Sequence, residues 1–169
     1  MDREPRSRIR EKKGALRRLI GLAQSCSEWV LGYEDETWWS RFEQPSLHSW
    51  AEVGEPMRLL QKEANKDDPD PKALSCYGLY LPELERTWLR FVDGRPVSAI
   101  TTQFLKWSLK KLEELGKKAL LLVWDNASWH KSKFVEGWIA THNREVKESG
   151  CGVRIVRCFL PRRARGSTR

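Results

Sequence analysis

This 169-residue chain has no apolar run approaching the ~20 residues that a membrane-spanning helix requires. Its opening, Met1-Asp-Arg-Glu-Pro-Arg6, lacks the apolar segment of a secretory signal. The expectation is a cytosolic protein with no membrane partner. Cysteine is sparse: Cys26, Cys76, Cys151 and Cys158 form no Cys-x-x-Cys pair and have no histidine spaced for zinc, so they read as reduced thiols, mostly core fillers. No internal repeat is visible, and the only biased tract is Asp67-Asp-Pro-Asp-Pro71, which reads as a turn or loop. Acids are missing altogether after Glu148.

What is present argues for a folded domain. Nine Trp and 40% hydrophobic residues can fill a core, and a chain of this length buries roughly 70% of its unfolded surface. The net charge of +8 is a property of the ends: residues 1 to 20 hold eight Lys/Arg against three acids, and residues 149 to 169 hold six Arg. Between them, 17 basic side chains face 20 acidic ones, so the body is slightly acidic. The terminal arginines Arg162, Arg163, Arg165 and Arg169 read as a solvated, disordered tail. The N-terminal run from Arg6 carries a helical stripe at Leu16, Leu19, Ile20 and Ala23, and its basic face either contacts phosphates or is simply solvated.

Periodicity divides the rest into strands followed by alternating helices and strands. Residues 28 to 34 make a first strand and 37 to 42 a second, with a weak one at 57 to 63. Lys72 to Tyr80, ended by Pro82, and Thr87 to Val92, closed by Asp93-Gly94, complete a meander. A helix from near Ser98 or Thr101 to Gly116 precedes a strand at 118 to 124; a second helix, marked by Phe134, Val135, Trp138, Ile139 and Val146, ends near Gly150 and precedes a last strand at 153 to 160. The fold class is α/β, a mixed sheet with helices packed on it.

Leu120 to Trp124 is apolar without a period of two or 3.6, so it reads as a strand buried on both faces with Asp125 at its carboxyl end, where open α/β sheets place their chemistry. Asp35 ends the first strand. If these strands are neighbours, two carboxylates meet at one sheet edge, an arrangement that points to a divalent metal. Either Asp alone reads equally as a strand-end or helix-cap residue.

Three blocks carry a resemblance: Gly32-Tyr-Glu-Asp-Glu-Thr-Trp38, Val123-Trp-Asp-Asn-Ala-Ser-Trp-His-Lys-Ser132 and Val156-Arg-Cys-Phe-Leu-Pro161. They resemble the mariner-type bacterial insertion-sequence transposases over roughly residues 28 to 161. The resemblance implies an RNase H-like (retroviral-integrase-like) catalytic domain at 28–161, with 1–27 as a basic helical segment ahead of it and 162–169 as the Arg-rich tail. It also implies that Asp35 and Asp125 are the first two of three carboxylates that hold two Mg²⁺ or Mn²⁺ ions. DNA, as transposon ends and target, is the implied partner, in the cytoplasm and on the nucleoid, with a homodimer left open.

The family's third carboxylate follows Leu-Pro within Pro-x-Leu-Asn-Pro-x-Glu, whereas Leu160-Pro161 is followed here by Arg-Arg-Ala-Arg-Gly-Ser-Thr-Arg. The expectation is a truncated and inactive transposase fragment, incomplete at its C-terminus. The alternatives are a non-catalytic DNA-binding or regulatory fragment and a decayed reading frame. Among accessory residues, Asn126 is expected to cap the turn after the strand or touch the metal shell. His130 is expected either near the scissile phosphate or in a structural role at a helix start, and Glu136 as a substitute third ligand. Glu34 and Glu36 are expected to be solvated or paired to Arg, because they alternate with Asp35 in side-chain direction. Trp38, Trp39, Trp50, Trp124 and Trp129 read as core rather than as base-stacking platforms.

Overall fold

Six consecutive buried residues, Ala119–Trp124, form the central strand β4 of the computed structural model, which describes residues 6–40 and 72–160. The elements in chain order are α1 (Arg6–Ser25), β1 (Trp29–Ser40), β2 (Ala73–Leu81), β3 (Arg86–Asp93), α2 (Ser98–Glu114), β4, α3 (Lys133–Ser149) and β5 (Arg154–Phe159). The five strands form one sheet in the order β3-β2-β1-β4-β5. The first three pair antiparallel as a meander, while β4 runs parallel to β1 and β5 parallel to β4. This is the mixed sheet with helices packed on it that the order of elements predicts.

β4 shows no alternation in its sequence because both of its faces are covered. Leu120, Leu122 and Trp124 join Val30, Tyr77, Leu79, Leu105, Leu112, Val135 and Ile139 in the larger core, under α2 and α3. Leu121 and Val123 point the other way and meet Leu31 and Ala23, with Leu16, Leu19 and Ile20 of α1 packed around them. The predicted stripe of α1 therefore lies on the sheet, and Arg10, Lys13, Arg17 and Arg18 are exposed. No described helix is long and apolar enough to cross a membrane.

Local chemistry sets the ends of the elements. Ser132 caps α3 by accepting a hydrogen bond from Val135 N at 3.2 Å, and Gly150 closes the helix in the left-handed region at φ 69°. Gly94 turns the chain after β3 at φ 99° and donates to Ala73 O at 2.8 Å. Gly32 has a packing reason: a Cβ there would lie 2.9 Å from Cδ1 of both Leu120 and Leu79.

Several expectations are corrected. Residues 28–34 and 37–40 belong to one strand, because β1 runs on past its last β4 partner and stays paired with β2 from Tyr33↔Tyr80 to Ser40↔Ala73. Trp39 is 53% exposed, so it is not core, and Cys151 is exposed rather than buried. All four cysteines are free. The expected strand at 57–63, the loop at 67–71, Trp50 and the Arg-rich tail lie outside the described residues.

Candidate metal centre

The parallel pairing of β1 with β4 ends at Tyr33↔Val123, and Asp35 and Asp125 each stand two residues beyond that pair. The fold therefore brings them to one point on the sheet, although Asp35 sits within β1 rather than at its end. Asp35 Oδ1 accepts from Glu36 N at 2.9 Å, and Asp125 Oδ1 accepts from Ala127 N at 2.8 Å. Partial burial raises the Asp35 pKa, and the nearby charges of Asp125 and Glu36 push it further up, against the backbone N–H of Glu36 and the ring of His130. Like charges on neighbouring strands, with Asp125 raising the Asp35 pKa, are stabilised by a cation between them. With Asp125 51% exposed, an all-oxygen pair open to water fits a hard ion that keeps several of its waters.

Behind Asp125 lies a buried polar cluster. His130 is fully buried and stacks on Trp124 with ring centroids 4.5 Å apart and planes 4° from parallel. Its Nδ1 lies 2.9 Å from Asp125 Oδ1, and its Nε2 lies 2.8 Å from Glu36 Oε2 and 3.4 Å from Glu34 Oε2. Each ring nitrogen thus faces a carboxylate, and the ring ties Asp125 to β1. Glu36 also accepts from Trp129 Nε1 at 3.1 Å and from Thr101 Oγ1 at 3.3 Å, and Glu34 accepts from Trp124 Nε1. Burial, followed by the charge of Glu36, raises the Glu34 pKa well above the usual carboxylate range; the Trp124 N–H opposes this. Oε1 of Glu34 is buried with no hydrogen-bond partner.

The accessory expectations fare unevenly. Glu34 and Glu36 are neither solvated nor paired to arginine: they share the parity of Val30 and Gly32, so they enter the core side of the sheet where the indoles and His130 meet them. His130 does not start a helix; it lies in the turn before Ser132 with its ring buried against Trp124. Asn126 lies in the turn after β4, where its Nδ2 donates to Leu160 O at 2.6 Å and its Oδ1 accepts from Lys131 Nζ. That amide ties the end of β5 to the turn after β4. Glu136 sits in the first turn of α3 and pairs with Arg157 at 3.3 Å. Sequence reasoning missed the supporting roles of Trp124, Trp129 and Thr101; the parity of Glu34 and Glu36 along β1 was the available signal.

No protein-family model matches the chain, and no curated protein matches it. Among solved structures, its fold is similar to that of the Mos1 transposase paired-end complex with left transposon end, with a TM-score of 0.49 and 14% identity. That likeness covers 96% of this chain and 44% of that one. The Mos1 strand transfer complex gives a TM-score of 0.47 at 13% identity, covering 91% and 42%. The mariner Mos1 paired-end complex with Mg gives 0.47 at 14% identity, covering 84% and 42%. The chain spans less than half the length of these proteins.

Proposed function

We propose that this chain is a portion of a transposase-type catalytic domain, of the class that cuts and joins DNA, and that it binds Mg²⁺ or Mn²⁺ between Asp35 and Asp125. The observation that carries the reading is the convergence of these two aspartates just past the last β1–β4 pair, with His130 bracing one of them. The sequence blocks around Asp35 and Asp125 resemble the mariner-type family at this same place. A divalent ion held by Asp35 and Asp125 would supply Lewis-acid activation of an attacking oxygen and charge stabilisation of a leaving oxygen at a phosphodiester. Asp35 and Asp125 supply the negative oxygens that hold the metal. His130 fixes the Asp125 carboxylate in orientation, and its own orientation is fixed by Glu36 and by the face of Trp124.

We infer further that these residues alone bind metal without cutting DNA. The other acids close to the pair do not face it: Glu34 and Glu36 lie on the core side of β1 against Trp124, Trp129 and His130, and Glu136 pairs with Arg157. Titration with Mn²⁺, followed by paramagnetic broadening of amide signals, tests the site. Broadening is expected at 34–36 and 124–127 and is expected to be lost in Asp125→Asn; uniform or absent broadening refutes the metal reading. Plasmid nicking should stay at the level of a blank, and Mg²⁺-dependent nicking that vanishes in Asp125→Ala would overturn the inactive reading.

A non-catalytic DNA-binding role is the second reading, favoured by the exposed Arg10, Lys13, Arg17 and Arg18 on α1. Salt-sensitive DNA binding that persists in EDTA and in Asp125→Asn is its signature.

A further inference from the structure

We propose that Glu34, Glu36 and His130 form a second, buried metal site, distinct from the Asp35–Asp125 pair, for a divalent cation of the zinc class. One oxygen from each glutamate and one nitrogen of the imidazole lie within 4.8 Å of one another. His130 Nε2 stands 3.4 Å from Glu34 Oε2 and 2.8 to 3.0 Å from the two oxygens of Glu36. Ligands about 2.0–2.2 Å from a tetrahedral zinc are about 3.3–3.6 Å from each other, so small side-chain shifts open the space for an ion. Nε2 and one oxygen from each glutamate give three donors, and the second oxygen of Glu36, held too close to the first to fill a tetrahedral corner, adds a weaker fourth contact.

Two observations beyond the acidic cluster point to a cation. Oε1 of Glu34 is buried without a donor against it, in a side chain with no exposure to solvent, while Oε2 accepts from Trp124 and stands 3.4 Å from His130 Nε2. His130 also already has the bracing of a metal-bound imidazole: with Nε2 turned to the glutamates, Nδ1 is 2.9 Å from the carboxylate of Asp125, which fixes the ring orientation and makes Nε2 a better donor. A divalent ion balances the charges of Glu34 and Glu36. The indole N–H groups of Trp124 and Trp129 remain as donors to those carboxylates, as they are without an ion.

The donor set separates the two sites. One imidazole with buried carboxylates suits zinc or a neighbouring transition ion, whereas the oxygen-only Asp35–Asp125 pair suits magnesium or manganese. The buried site is closed to solvent, with His130 and Glu34 fully covered and Glu36 at 1% exposure, so the ion is acquired as the chain folds. EDTA should strip it slowly from the folded protein and at once from the denatured chain.

The test is elemental analysis of purified full-length chain refolded with equimolar Zn²⁺ and desalted, together with zinc-edge X-ray absorption. The expected result is one equivalent of zinc with nitrogen and oxygen neighbours at about 2.0–2.2 Å and an imidazole signature. Retention is expected in Asp35→Asn and Cys151→Ser, a tenfold or greater loss of affinity in Asp125→Asn, and loss in Glu34→Gln and Glu36→Gln. Zinc below a tenth of an equivalent, sulfur neighbours at about 2.3 Å, or zinc that survives Glu36→Gln but not Cys151→Ser overturns the proposal. The absorption measurement uses the unaltered protein, so a variant that fails to fold does not blunt it. Its failure leaves the Asp35–Asp125 reading untouched, because that pair is probed by Mn²⁺.

Discussion

Trp124→Phe is the change that best tests how the polar cluster is held. The indole is fully buried, donates to Glu34 and stacks on His130. Phenylalanine keeps much of the volume and a ring face but removes the N–H that Glu34 Oε2 accepts, while His130 Nε2 stays 3.4 Å from that oxygen. An orphaned buried acceptor costs about 1–3 kcal/mol, and the atoms lost from a sealed site cost on the order of 1 kcal/mol more. A total of about 2–4 kcal/mol lowers the melting temperature by roughly 5–15 °C at 2–4 °C per kcal/mol for a domain of this size. The assay is guanidinium unfolding at pH 7 in EDTA for wild type, Trp124→Phe, Glu34→Leu and the double variant. Removing both partners should recover part of the loss, with a coupling of about 1–2 kcal/mol. A single variant within about 0.5 kcal/mol of wild type and a coupling near zero would refute the idea that this contact holds the cluster.

Two further outcomes concern pH and backbone packing. Burial raises the Glu34 pKa, so the native state holds a proton that the unfolded chain releases; the associated stability is fully present below the ordinary carboxylate range and declines as pH rises toward the folded value. Glu34→Gln should therefore gain on wild type between pH 5 and pH 8 in metal-free denaturation, and parallel pH profiles would count against the buried acid. Gly32→Ala, whose methyl meets Leu120 and Leu79 at 2.9 Å, should cost about 1–3 kcal/mol, whereas Gly14→Ala on α1, with nothing within 4 Å, should gain about 0.5–1 kcal/mol; equal melting shifts would contradict this.

Much of the architecture was legible because single residues carry unambiguous local physics. The unpatterned run Leu120 to Trp124 could only be covered on both sides, and Asp93-Gly94 and Gly150 stand where the chain must turn or enter the left-handed region. The division of β1 was misread because strand continuity depends on partners: after Tyr33 the strand loses β4 but keeps β2, and no local signal reports that exchange. The convergence of Asp35 and Asp125 was legible only by assuming that their strands are neighbours.

The run Glu34-Asp35-Glu36 shows where residue type and strand geometry compete. Charge argues that all three acids stay in water, while the two-residue period of a strand separates the central one from its neighbours. Parity prevails because Val30 and Gly32 have already committed that row of β1 to the core side, and Trp124, Trp129, Thr101 and His130 supply the donors that a buried carboxylate requires. Asp35 is left on the opposite face beside Asp125. One short acidic stretch therefore provides both an accessible carboxylate and, on the other side of the same strand, the buried pair that anchors the imidazole bracing its partner. His130 is the link between them, and its place five residues after Asp125 gains meaning only once the turn folds the ring back onto β1.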